Sequence, residues 1–162
     1  EQDRLAQEKA LKAVLPEAKA FDEITDKDVL ASATKAGGET PVLGVFEAKD
    51  ASDEVSGWGV IVTPRGYGGP MRIVVGVDRN GKVTGVNVVT HNETPGLGTK
   101  AVGADADGVA FRKTFTGVDS SAKAAKLDTI TGATKSSRGV RKGVEAAMRV
   151  FEDVLVKGGG SQ

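Results

Sequence analysis

Hydroxyl side chains gather at one place in this chain, Asp128-Thr129-Ile130-Thr131-Gly132-Ala133-Thr134-Lys135-Ser136-Ser137, just ahead of a stretch with helical periodicity. Threonine or serine at a helix start accepts hydrogen bonds from the first backbone N–H groups, which have no partner within the helix. Those N–H groups, with the positive end of the helix dipole, also favour a phosphate. The segment therefore reads as a helix cap or as a phosphate site. Two glycine-rich loops carry further reactive or stacking groups: His91-Asn92-Glu93-Thr94-Pro95-Gly96-Leu97-Gly98 and Gly66-Tyr67-Gly68-Gly69-Pro70. On local grounds the first is equally a surface turn, and Tyr67 is equally an aromatic packed on the surface.

Composition removes several chemistries. The chain has 162 residues, no Cys and one His, which excludes disulfides, thiolate metal sites, iron-sulfur clusters and cysteine nucleophiles. His91 beside Glu93 resembles an acid-base pair or a metal fragment, but without a second His or a Cys a metal site is not expected. Asp105 and Asp107 lack the other ligands of a calcium loop and read as a solvated helix start. Redox chemistry, if present, must come from a bound organic cofactor. Lys+Arg and Asp+Glu balance at 22 each, with no basic tract, so nucleic acid is not an expected partner.

Asp128-x-x-Thr131-Gly132-Ala133-Thr134-x-Ser136 resembles the flavinylation motif of the FMN-binding domain family, which includes the G subunit of the Rnf electron transport complex and the C subunit of the sodium-pumping NADH:quinone oxidoreductase. The His91 to Gly98 loop is similar to the family's other signature, which lies along the isoalloxazine ring system, and the two occur in the family's order. Gly66 to Pro70 is similar to a weaker feature that precedes the central hairpin. The resemblance spans roughly Val42 to Leu155, and the N-terminal helix is similar to the segment that follows the family's membrane anchor. Thr131 stands where Ser is commoner, and the anchor helix is absent.

The resemblance implies FMN bound covalently, transferred from FAD by a dedicated magnesium-dependent flavin transferase to the last Thr of the motif, here Thr134, as a phosphoester. Gly132 and Ala133 would leave that hydroxyl unhindered. Lys135, Arg138 and the helix start would face the remaining phosphate charge, and Asp128 would position or activate the hydroxyl. Thr131 and Ser136 complete the motif. Glu93, Thr94, Pro95, Gly96, Leu97 and Gly98 would wall the ring, with Tyr67 stacking on it or edging it.

Elements must hold these residues in place. Val140, Val144, Met148, Phe151 and Leu155 recur at three or four residues, predicting a helix from about Ser136 to Val156. Val42–Phe46, Val55–Val62, Met71–Val77 and Lys82–Thr90 have strand composition. Asp78-Arg79-Asn80-Gly81 predicts a tight hairpin whose Asn-Gly pair supplies positive φ angles, and Thr63 to Pro70 reads as a loop. Leu5, Leu11, Val14 and Leu15 suggest an amphipathic lead-in helix ended by Pro16. A short helix is expected around Ala106 to Lys113, and Trp58 is expected in the core.

The expected fold is α+β, a largely antiparallel sheet with flanking helices. Residues 1–20 read as a lead-in helix after a removed membrane anchor, 21–157 as the FMN-binding domain, and the Gly-rich 158–162 as a disordered tail. The family implies an electron carrier within a membrane-bound ion-translocating ferredoxin:NAD oxidoreductase, on the outer face of the membrane, with the other subunits as partners and no turnover by the isolated domain. The quinone-reductase C subunit and a flavin-free extracellular binding module are the alternatives.

Overall fold

Residues 2–66, 69–90, 112–113, 115–120, 123–124 and 134–155 are described by a computed structural model. Among them are three long helices, α1 (Gln2–Val14), α2 (Lys27–Gly37) and α3 (Thr134–Val150). The strands are β1 (Ala20–Glu23), β2 (Val42–Lys49), β3 (Val55–Val62), β4 (Arg65–Gly66), β5 (Gly69–Pro70), β6 (Arg72–Asp78) and β7 (Val83–Thr90). Five of them form an antiparallel sheet in the order β1-β2-β3-β6-β7, and β4 pairs with β5 alone. The expected α+β class and antiparallel sheet are what the structure has.

Side chains alternate across the sheet because successive residues of a strand point to opposite faces. Trp58, Val60 and Val62 of β3 and Ile73, Val75 and Val77 of β6 face α2 and α3, whose Ala33, Val140, Val144 and Met148 complete that core. Ile61 and Val74 point the other way, toward Leu11, Val14 and Leu15 at the end of α1. Trp58 is therefore a core residue, as expected, with Phe151 edge-on to it at 5.4 Å between ring centroids. Phe151 opens a π-helical turn, Phe151–Leu155, in which α3 ends.

On the α1 face, Gly59, Gly76 and Gly85 are register partners across three adjacent strands. A Cβ on Gly76 would lie 2.9 Å from the Val14 carbonyl oxygen, one on Gly85 would lie 3.3 Å from the Val14 Cα, and one on Gly59 would overlap Leu11 Cδ2. The glycines form a transverse trough, and the end of α1 lies in it with backbone close to backbone. Leu11 and Val14 are 1% and 2% exposed there.

Several elements differ from expectation. The segment between the lead-in helix and Val42 holds β1 and α2, neither of them foreseen. β2 runs on to Lys49, beyond the expected Phe46. The stretch Thr63 to Pro70 is more than a loop: β4 and β5 pair within it as a small antiparallel ribbon, closed at its base by the Met71 N–H donating to the Pro64 carbonyl at 2.8 Å.

The β6–β7 connection also departs from the expected turn. Only Gly81 has a positive φ, +83°, and Asn80 does not. The Asp78 carboxylate accepts from the Asn80 and Lys82 N–H groups at 2.9 and 3.0 Å, so a longer turn with one left-handed residue replaces the two-residue one. The β2–β3 connection repeats this arrangement: Asp50 accepts from Ser52 and Glu54, and Asp53 takes the left-handed position at φ +63°. Of the helix expected over Ala106 to Lys113, only Arg112 and Lys113 are described, and both are helical.

Candidate functional site

α3 begins on Thr134 itself, two residues ahead of the boundary expected from periodicity. The chain's hydroxyl-rich motif thus runs into the first turn of the helix, which Lys135 and Ser136 also occupy. The starts of α2 and α3 differ in charge. At α2 the Asp26 carboxylate accepts from the Asp28 and Val29 N–H groups at 2.9 and 3.2 Å, with Asp28 adding a second carboxylate in the first turn. The positive end of that helix is already satisfied by the chain's own acids. The first turn of α3 contains no acidic residue, and Arg138, exposed, follows one turn later. The first turn of α3 therefore sets no carboxylate of its own against the positive end of the helix dipole.

Topology brings the described residues that flank the Tyr67 and His91 segments to one end of the sheet. Thr90, the last residue of β7, pairs with Arg72, the first of β6, so the chain enters the His91 to Gly98 segment there. The β4–β5 ribbon returns through Met71 to the same end of β6. α3 packs against β4 and β6, and Gly143 is a point of close approach: a Cβ there would stand 2.5 Å from Ile73 Cδ1 and 3.0 Å from Pro64 Cγ.

Tyr67, His91, Glu93, Thr94, Pro95, Gly96, Leu97, Gly98, Asp128, Thr131, Gly132 and Ala133 lie outside the described residues. What the structure places is the frame around them: the ribbon strands on either side of Tyr67, the strand leading to His91, and the helix that starts where Asp128 to Ala133 ends. Sequence patterning did not single out Gly143 and Pro64, which fix how deeply α3 sits. A glycine among helix formers such as Arg141, Lys142, Glu145 and Ala146 is the signal that would have found the first.

The other end of α3 is built differently. Arg149 donates from Nε to the Ala36 carbonyl at 2.8 Å and from Nη2 to the Gly37 carbonyl at 2.9 Å, tying α3 to the last turn of α2. A cleft of about 680 Å³ opens beside this contact, lined by Lys35, Glu39, Arg149 and Asp153 among others. It lies roughly 25 Å from Thr134, the length of a helix of this size, and none of the candidate residues lines it.

A profile of the FMN-binding domain family matches residues 66–149, just over half of the chain, from the β4–β5 ribbon to the last turn of α3. The chain is 33% identical over 153 residues to the G subunit of the Na(+)-translocating ferredoxin:NAD(+) oxidoreductase complex of Acetobacterium woodii, an alignment covering 90% of this chain and 73% of that protein. It is 32% identical over 150 residues to the G subunit of the ion-translocating oxidoreductase complex of Aliivibrio fischeri, covering 88% and 71%. With the G subunit of the proton-translocating ferredoxin:NAD(+) oxidoreductase complex of Clostridium ljungdahlii it shares 38% over 92 residues, 52% of this chain and 47% of that one. The family match takes in the ribbon, both signature segments and the helix that starts on Thr134, and the relatives extend it across the sheet: the chain belongs to the FMN-binding domain family.

Proposed function

We propose that this chain is the FMN-carrying electron-transfer subunit of an ion-translocating ferredoxin:NAD oxidoreductase complex, with the cofactor held by a phosphoester on Thr134. The observation that carries this reading is the start of α3 on Thr134 with an acid-free first turn. The G-subunit relatives favour this complex over the quinone-reducing one. Bound FMN would supply one- and two-electron transfer.

In the attachment step the Thr134 hydroxyl oxygen would attack the FMN phosphorus of FAD. The bridging P–O bond to the AMP phosphate would break, AMP would leave, and the hydroxyl proton would pass to a base, with Asp128 of this chain helping the transferase to position or activate the hydroxyl. The diester would keep a negative charge, for which the α3 N–H groups, Lys135 and Arg138 would supply positive partners. Gly132 and Ala133 would leave the hydroxyl unhindered, with Thr131 and Ser136 completing the motif. In this role the segment from Glu93 to Gly98 would wall the ring, with Tyr67 stacking on it or edging it.

A covalent bond keeps the cofactor beside its redox partners at high effective concentration, an advantage on the outer face of a membrane, where a released flavin is lost. No helix among the described residues is long and apolar enough to cross a membrane. Ion translocation would belong to the complex as a whole.

The test is intact mass after co-production with a flavin transferase, for the wild type and for Thr134→Ala. An FMN adduct on the wild type alone, with in-gel fluorescence that survives denaturation, is the expected result. An unmodified wild type would sink the assignment and favour the flavin-free binding module. An adduct on Thr134→Ala would move the tether to another residue.

A further inference from the structure

We infer that Gly143 is a positioning residue for the flavin tether: it sets the depth at which α3 seats on Pro64 and Ile73, and through that depth the place of Thr134 at the start of the helix. The inference rests on the reading of Thr134 as the attachment residue. Gly143 lies inside α3, where glycine is the poorest helix former after proline, so helix formation alone disfavours it. The packing explains its presence. A Cβ at this position would stand 2.5 Å from Ile73 Cδ1, 3.3 Å from Ile73 Cγ1 and 3.0 Å from Pro64 Cγ.

Neither neighbour yields easily. Ile73 has no exposed surface and shares its core with Val60, Val62 and Val75, so a displaced Cδ1 pushes on packed neighbours. Pro64 is buried, its ring is rigid, and its carbonyl closes the base of the ribbon. The compliant part is α3. With Arg149 holding its far end to Ala36 and Gly37, a side chain at Gly143 tilts the helix about that anchored end and displaces its Thr134 end most. Gly143 stands nine residues from Thr134, roughly 13 Å along the axis. A shift on the order of 1 Å is enough to slow a reaction that depends on alignment of a nucleophile.

The test compares wild type, Gly143→Ala, Gly143→Ala with Ile73→Val, and Val83→Ala, each incubated with purified flavin transferase, FAD and Mg2+. Adduct formation is followed by intact mass, and thermal stability is measured on the same samples. Val83→Ala is the control for stability alone: Val83 is 1% exposed but pairs with Val77, at the far end of the β6–β7 hairpin from Ile73.

Gly143→Ala is expected to form adduct roughly tenfold more slowly or worse. Removing the Ile73 Cδ1 should restore most of the rate, and Val83→Ala should lose stability while keeping it. Equal rates for wild type and Gly143→Ala would overturn the positioning role and leave the tether intact. A comparable loss in Val83→Ala, or no rescue by Ile73→Val, would overturn it too, by reducing the effect to general destabilisation. An unmodified wild type would overturn the tether reading and this inference with it.

Discussion

The Thr84 hydroxyl in β7 donates to the carbonyl oxygen of Val14 at 2.6 Å, joining the last residue of α1 to a strand 70 positions later in the chain. The end of a helix leaves carbonyls without intrahelical partners, and this one is satisfied by the sheet. Thr84→Val keeps the shape and removes the donor. It is expected to lower unfolding free energy by about 1 kcal/mol, read as a lower urea midpoint at unchanged slope.

Gly76→Ala is expected to do more. Its new Cβ would meet the Val14 oxygen at 2.9 Å and Thr84 Oγ1 at 2.5 Å, and backbone cannot rotate aside as a side chain can. Overpacking of this kind costs about 1–3 kcal/mol. Limited proteolysis between Pro16 and Lys19 should accelerate as α1 lifts from the sheet, while a cut at the same rate as wild type would contradict the trough.

The turns that join β2 to β3 and β6 to β7 give a paired prediction. Asp53 and Gly81 occupy equivalent left-handed positions, and only glycine does so without steric cost. Asp53→Gly should raise stability by roughly 0.5 kcal/mol. Gly81→Ala should lower it by roughly 2 kcal/mol, because a Cβ there also meets Phe151 Cε2 at 2.7 Å. Chemical denaturation of both variants reads out the opposite signs.

Arg149→Lys should cost about 1–2 kcal/mol. The guanidinium reaches two carbonyls of α2 at once, hydrogen bonds from a charged donor are worth about 1.5–3 kcal/mol, and an ammonium cannot reproduce the fork. Its loss should show in thermal unfolding and in amide exchange at the end of α2.

Acid titration has one local marker. The Lys123 ammonium, by hydrogen bond and then by charge, holds the Asp119 carboxyl below the usual carboxylate range, across a 2.9 Å ion pair on the surface. A depressed folded-state pKa means the pair's contribution is present above the unfolded-state pKa and fades as pH falls through the folded one. Lys123→Gln should return the Asp119 titration, followed by carboxyl NMR, toward its ordinary position.

Legibility followed burial and period. The long stripe of α3 and the β6–β7 hairpin could be read because their apolar residues repeat against a core. β1 could not: Ala20, Asp22 and Glu23 are exposed on a sheet edge, so no alternation marks it. α2 buries only Ala33 and Gly37, which hides its stripe, although Asp26 and Gly38 at its two ends are recognisable start and stop signals. Asn80-Gly81 marked the hairpin but not its turn type, because the Asp78 carboxylate stabilises a longer loop. The strand glycines carry no periodic signal, since their meaning lies in α1, far away in the sequence. At the candidate site, the position of Thr134 at a helix mouth was legible from hydroxyls followed by periodicity. The seat of that helix on Pro64 and Ile73 was not, because it depends on which strand the helix crosses.

The transverse row Gly59, Gly76 and Gly85 constrains how this sequence can drift. Each glycine leaves room for α1, but the room is shared: the three positions lie on three strands and meet the same short stretch of helix, Leu11 to Leu15. A methyl group added at Gly59 calls for a reduction at Leu11, whereas one added at Gly76 meets the Val14 backbone and calls for a shift of the helix that the other two glycines must also accommodate. Lineages descending from this chain should therefore keep all three glycines or change them together with the helix, as a single inherited unit spread over distant parts of the sequence.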